Sequence, residues 1–146
     1  MDTSIWGPPF WFSLHTISMN YPEKPSYIDK QQHLIFFESL KIVLPCQTCR
    51  DHYAIFLQNK PISPYLDNKN TLKKWVLDCH NNVNKINGEK VWTIEQLDNH
   101  YNNIYDNKHK FKCDFVIKKK ITNNNISNIL IVVLFTIIFC FYIFKF

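Results

Sequence analysis

No stretch of this 146-residue chain alternates apolar and polar residues convincingly enough to read as a strand, and no segment repeats another. These absences argue against a sheet or a repeat architecture and leave room for one domain plus appendages. No basic helix carries interleaved aromatics, so no polynucleotide partner is required. The net charge of +5 owes much to Lys108, Lys110, Lys112, Lys118, Lys119 and Lys120, crowded into one short segment. Contact with anionic lipid explains that clustering as well as nucleic acid would. The first ten residues lack both a basic flank and a long apolar run, so no signal peptide is expected ahead of the domain. Of the five cysteines, Cys79, Cys113 and Cys140 stand isolated from one another.

What remains up to about Tyr105 is helical periodicity with short breaks. Pro8 and Pro9 suit the first turn of a helix. Phe10, Leu14 and Ile17 follow at helical spacing until Pro22 and Pro25 stop the run. Ser26 with Asp29 resembles a capping box. The helix behind it carries Leu34, Phe37, Leu40 and Leu44 on one face, with Ile35, Phe36 and Val43 elsewhere. A helix apolar nearly all round is buried on two sides, and a dimer interface is one way to achieve that. A third helix is expected from Cys46 to about Gln58, followed by a loop at Pro61 and Pro64. A fourth begins near Asn70 and Thr71 and ends before Gly88, with a core stripe of Leu72, Trp75 or Val76, Cys79, Val83 and Ile86. Thr93 and Gln96 form a capping box for a fifth, with Trp92 stapled on Leu97 and a buried face of Leu97, Tyr101 and Ile104.

The C-terminal part is different. Ile129 to Phe144 is apolar apart from Thr136 and Cys140, and as a helix would span roughly 24 Å at about 1.5 Å per residue. Extended by Ile126 and Ser127, it reads as a membrane anchor. Lysines on its N-terminal flank favour a cytosolic face for the preceding domain. The expected organisation is a domain over residues 1–107, a basic polar linker over 108–125 and a transmembrane anchor over 126–146.

Three patches carry chemistry. Trp11 and His15 lie four residues apart within Trp6-Gly7-Pro8-Pro9-Phe10-Trp11-Phe12-Ser13-Leu14-His15-Thr16 and share a helix face. Taken alone, they read most simply as an aromatic core helix with a satisfied histidine. Cys46 and Cys49 stand three apart at a helix start, where two sulfurs can join in one turn and the positive helix end favours a thiolate. Such a pair is redox machinery or half of a metal site, and an inert staple does not persist in a reducing cytosol. His80-Asn81-Asn82-Val83-Asn84 sets an imidazole and an amide one turn apart in an otherwise apolar helix. A solvated polar face is one reading; the other is a set of buried polar groups that a polar heterocyclic ligand satisfies.

In this order and spacing, Trp-Gly-x-x-x-Trp-x-x-Leu-His-Thr, Pro-Cys-x-x-Cys and His-Asn-x-Val-Asn resemble the Erv/ALR family of FAD-linked sulfhydryl oxidases, over roughly residues 5–105. The compact form is most similar to the oxidases of large cytoplasmic DNA viruses, which form disulfides in virion proteins. The resemblance implies an all-α fold, a four-helix bundle plus a short fifth helix around FAD, usually as a homodimer. It implies that Cys46 and Cys49 are the active disulfide, with Cys46 open to a protein dithiol and Cys49 beside the flavin. Trp11 and His15 would line the cofactor. His80, Asn81, Val83 and Asn84 would hold its adenine and ribose, Lys85 and Lys90 its phosphate, and His52, Trp75 and Trp92 would complete the wall. Molecular oxygen would be the final acceptor, and a thioredoxin-like protein or small CxxC carrier a fitting substrate.

Two departures accompany the resemblance. Pro8 stands where many members carry a basic residue after the first glycine, and Leu77 and Ile94 stand where cellular members often place a structural cysteine pair. Cys79 then reads as a buried thiol, Cys113 as idle or a weak shuttle, and Cys140 as inert within the anchor. The enzyme alternative is a flavin-free disulfide carrier, which leaves the Trp11/His15 and His80/Asn84 stripes unexplained. The non-enzyme alternative is a zinc-stabilised helical adaptor using Cys46, Cys49, Cys79 and His80. Adjacent residues on a helix diverge by about 100°, which argues against convergence of Cys79 and His80 on one ion. No metal is therefore expected.

Overall fold

The computed structural model describes residues 2–106. Among them are five α-helices, a short 3-10 turn at Ser63–Tyr65 and no strand. The helices are α1 (Thr3–Met19), α2 (Tyr27–Val43), α3 (Gln47–Asn59), α4 (Lys69–Asn87) and α5 (Ile94–Asp106). The all-helical expectation holds for these residues. The linker and the anchor expected over 108–146 lie outside them, and among the described residues no helix is long and apolar enough to cross a membrane.

α1 begins earlier than its prolines suggest. Asp2 caps it by accepting hydrogen bonds from the Ser4 amide at 2.9 Å and the Ser4 hydroxyl at 2.8 Å, which moves the start upstream and leaves Pro8 and Pro9 inside the helix. Each proline removes one intrahelical donor. The carbonyls left over belong to Ser4 and Ile5, both exposed, so neither is an acceptor trapped in the core.

The expected caps form elsewhere. Ser26 and Asp29 make a reciprocal capping box at the start of α2, and Thr93 and Gln96 do the same for α5. Cys46 itself caps α3. α4 starts one residue ahead of expectation, behind an Asn68/Thr71 box. It ends where Gly88 turns left-handed at φ 71°, a conformation that costs any side chain energy.

α1 packs chiefly on α4 and α2 on α3. Their shared core centres on Leu14, Phe37, Leu40, Phe56, Leu72 and Trp75. Two short-range ties fix α5 on this frame: Lys73 meets Asp98 at 2.7 Å, and Thr16 shares a hydrogen bond of 2.6 Å with Tyr105. Leu97 and Tyr101 bury the inner face of α5 against Leu77 and Trp92, as the expected staple requires.

Two expectations need correction. Ile104 is exposed, because Tyr101 and Tyr105 take the contacts toward α1. Ile86 is exposed at the rim of the cavity described below, not in the core. α2 divides its apolar residues: Phe37 and Leu40 are inside, whereas Ile28, Ile35, Ile42 and Val43 face outward from the single chain. The loop after α3 contributes fully buried Ile62 and nearly buried Leu66, with Tyr21 donating its hydroxyl to the Leu66 carbonyl. Loop positions show no helical period, so the sequence pattern offers no signal for them.

Candidate active site

Between α1, α3, α4 and α5 lies one cavity of about 770 Å³, mostly apolar in its lining. It falls within the range of about 300–1,000 Å³ typical of small-molecule and cofactor sites. Cys46 and Cys49 stand at its edge, each half-buried. Both are free thiols in this structure, and their surroundings differ.

Cys46, at the N-cap, accepts a hydrogen bond at 3.2 Å from the backbone N–H of Cys49. Hydrogen bonding from the Cys49 thiol, and then from that amide, lowers its pKa below the usual thiol value. Cys49 sits inward, and burial pushes its pKa up to about 11, with its bond to the Cys46 sulfur adding to the rise. The first proton therefore leaves Cys46, the sulfur nearer solvent, and a single thiolate is shared along the axis of the turn.

The opposite side of the cavity is a nest of rings. Trp11 of α1 stacks on His80 of α4 at 4.2 Å between centroids and 9° between planes. His15 Nε2 lies 3.0 Å from His80 Nδ1, so one neutral imidazole donates to the other. Burial lowers His15 to about 3, aided by the neighbouring His80 and His100, and burial lowers His80 to about 4. Both rings are uncharged at neutral pH. Cys79 lines the cavity from below, and burial raises its thiol far above the ordinary value, so it stays protonated.

Nine of the expected residues converge here: Cys46, Cys49, Trp11, His15, His52, His80, Val83, Asn84 and Trp92 all line the cavity. Four do not. Trp75 is 1% exposed in the core between Phe37 and Phe56, its indole N–H donating to the Lys60 carbonyl at 3.0 Å, so it supports the wall from behind. Asn81 spends its whole carboxamide on Trp92, donating to the Trp92 carbonyl and accepting from the Trp92 N–H, both at 2.8 Å. Lys85 and Lys90 stand exposed outside the lining. Asn84 is buried yet also ties down the loop, donating to the Lys90 carbonyl at 3.0 Å.

Sequence reasoning missed Trp6, Tyr53 and His100 as lining residues. His100 had a signal: it is three residues from Leu97 and next to Tyr101 on α5, and it lines the cavity while remaining exposed. It meets Trp92 edge to face at 5.0 Å. Trp6 belongs to the first motif but is off the Trp11/His15 stripe.

Two buried polar atoms in this lining have no partner, Trp6 Nε1 and His15 Nδ1. Buried polar groups are nearly always satisfied, so these two await a ligand with polar atoms. A large, flat, partly polar heterocyclic cofactor fits the volume, the aromatic walls and the orphaned nitrogens together. Among the described residues no group of three or more His, Cys, Asp or Glu side chains is arranged to hold a metal ion.

Five helices enclosing a ring-lined chamber, with an unequal dithiol at its edge, define a helical redox domain with a cofactor-sized cavity. The chain belongs to the Erv1 / Alr family, whose model matches residues 8–121. It is 36% identical over 97 residues to the probable FAD-linked sulfhydryl oxidase of Acanthamoeba polyphaga mimivirus, covering 66% of this chain and 68% of that one. It is 31% identical over 101 residues to the FAD-linked sulfhydryl oxidase of African swine fever virus, covering 69% and 80%. The fold matches the crystal structure of the FAD binding domain of Erv1 from Saccharomyces cerevisiae with a TM-score of 0.63 at 21% identity, over 73% of this chain and 96% of the other.

Proposed function

We propose that this chain is an FAD-dependent sulfhydryl oxidase, with Cys46 and Cys49 as its redox-active pair. One observation carries the reading: a half-buried low-pKa thiol at the helix cap and an inward high-pKa thiol share a cavity whose aromatic walls leave two buried nitrogens unpartnered. The relatives named FAD-linked sulfhydryl oxidases support it.

In the oxidised enzyme Cys46 and Cys49 form a disulfide. A thiolate of a substrate dithiol attacks Cys46 Sγ; a substrate–Cys46 disulfide forms, the Cys46–Cys49 bond breaks, and Cys49 leaves with the electron pair. The second substrate thiolate then attacks the substrate sulfur of the mixed disulfide. Cys46 departs as thiolate, and its low pKa makes it a good leaving group. The substrate is oxidised to a disulfide and the enzyme pair is reduced by two electrons. Bound FAD supplies the acceptor for those two electrons and the route by which they reach oxygen, giving hydrogen peroxide. Trp11, His15, His80, Val83, Asn84, His52 and Trp92 would hold the cofactor, with Trp6 Nε1 and His15 Nδ1 as its buried polar handles. Asn81 would act through the Trp92 loop, Trp75 through the wall, and Lys85 and Lys90 from the rim.

The full chain purified from an expression host is expected to be yellow and to release about one FAD per chain on denaturation. A colourless protein containing stoichiometric zinc would contradict the reading.

The assembly and address of the enzyme belong to the same proposal. A homodimer is supported by α2, whose exposed Ile28, Ile35 and Ile42 recur every seventh residue beside Val43; equilibrium sedimentation reads it, and a monomer at all concentrations refutes it. A C-terminal anchor at 126–146, holding the domain on the cytosolic side of a viral or host membrane, is supported by the apolar run and its lysine flank. Extraction by alkaline carbonate would refute it. A thioredoxin-like or small CxxC protein, oxidised for virion assembly, is the substrate class that an accessible Cys46 fits.

A further inference from the structure

We propose that Arg50 is a positioning residue for the cysteine pair, a fork that reaches back across both cysteines and fixes the turn presenting Cys46. This rests on the reading of Cys46 and Cys49 as the reactive pair and extends it to a residue outside the three motifs.

Arg50 is the only arginine among 17 basic residues, the others being lysine. It follows Cys49 directly on α3, and its half-buried guanidinium turns back toward the helix start. Nη1 donates to the carbonyl of Leu44, where α2 ends, and Nη2 donates to the Gln47 side-chain oxygen at 2.6 Å. Gln47 in turn donates to Asp51 at 2.8 Å. The backbone N–H of Arg50 also donates to the Cys46 carbonyl at 3.0 Å. Residues 44–47, which contain Cys46, are thus held from the far side of the pair.

The geometry matters because Cys46 works from an N-cap. Its sulfur keeps the Cys49 amide hydrogen bond only while the Cys46 backbone stays extended, as it is here at φ −109° and ψ 126°. A lysine places three donors on one point and cannot bridge two acceptors set apart as the Leu44 carbonyl and Gln47 are; the planar guanidinium can. A cap for the end of α2 alone would need only the Leu44 bond. The second arm onto Gln47, inside the Cys-x-x-Cys segment, is what ties the fork to the thiols.

The test is the pH dependence of Cys46 alkylation by iodoacetamide in the full, anaerobically reduced chain, followed on the Cys46 peptide by mass spectrometry. Arg50→Met is expected to raise the midpoint by about one unit and to slow alkylation at pH 7 about tenfold, leaving the unfolding midpoint and Cys79 labelling unchanged. Arg50→Lys retains the charge but not the bridge, and its midpoint should stay raised. These variants leave Cys49, His52, His15 and His80 in place around the cavity. A wild-type midpoint in folded Arg50→Met overturns the proposal. If that variant does not fold, wild-type midpoints in both Arg50→Lys and Gln47→Ala overturn it. Alkylation requires neither FAD nor oxygen, so this result stands apart from whether the chain is an oxidase.

Discussion

Cys46 and Cys49 are chemically identical residues made unequal by one turn of helix. The sulfur outside the helix receives donors, while the sulfur inside loses water. The same physics governs the histidines across the cavity, where burial keeps His15 and His80 neutral and lets one donate to the other. This has a consequence for stability. His15 has an ordinary value of 6.5 and a folded value of about 3, so below pH 6.5 the unfolded chain takes up a proton that the folded chain refuses. The effect is absent above pH 6.5 and grows as pH falls toward 3. At pH 5 it costs about 2 kcal/mol from His15 alone, with His80 acting in the same direction. The urea midpoint should therefore drop between pH 7.5 and pH 5, and the drop should shrink in His15→Gln. A flat profile would mean that the pair is not buried as described.

At the scale of elements, α4 and the loop behind it make the clearest unit. Asn81 and Asn84, on the inner side of α4, hold the backbone of residues 90–92, and Gly88 makes the reversal that brings it within reach. Asn81→Ala leaves a donor and an acceptor of Trp92 unpartnered, at a cost of about 1–3 kcal/mol. Denaturant unfolding of that variant should show the loss together with weaker FAD retention; an unchanged midpoint would show that the loop holds itself. The sequence pattern made these helices legible because apolar spacing and capping pairs such as Ser26/Asp29 and Thr93/Gln96 are local. The start of α1 was misread for the same reason: two prolines are a strong local signal, and Asp2 outweighs them only once it caps Ser4. Ile62 and Leu66 were not legible at all, since a loop buries residues by tertiary contact and not by period.

At the scale of the whole molecule, residues far apart in sequence meet around one cavity: Trp11 and His15 from α1, the thiols from α3, His80 and Asn84 from α4. That convergence was legible only through the resemblance, because helical spacing shows which face a residue takes but not which helix it meets. The same gap explains why the resemblance places Asn81 at the adenine and ribose and Trp75 in the wall, whereas Asn81 secures a loop and Trp75 fills the core. The central claim is that electrons enter through Cys46 and leave through Cys49. The most direct measurement is flavin absorbance after adding a dithiol to the purified full chain under nitrogen, for the wild type and for Cys49→Ser. The wild type should bleach, while Cys49→Ser should retain its FAD and stay yellow; bleaching of Cys49→Ser at the wild-type rate would contradict the account.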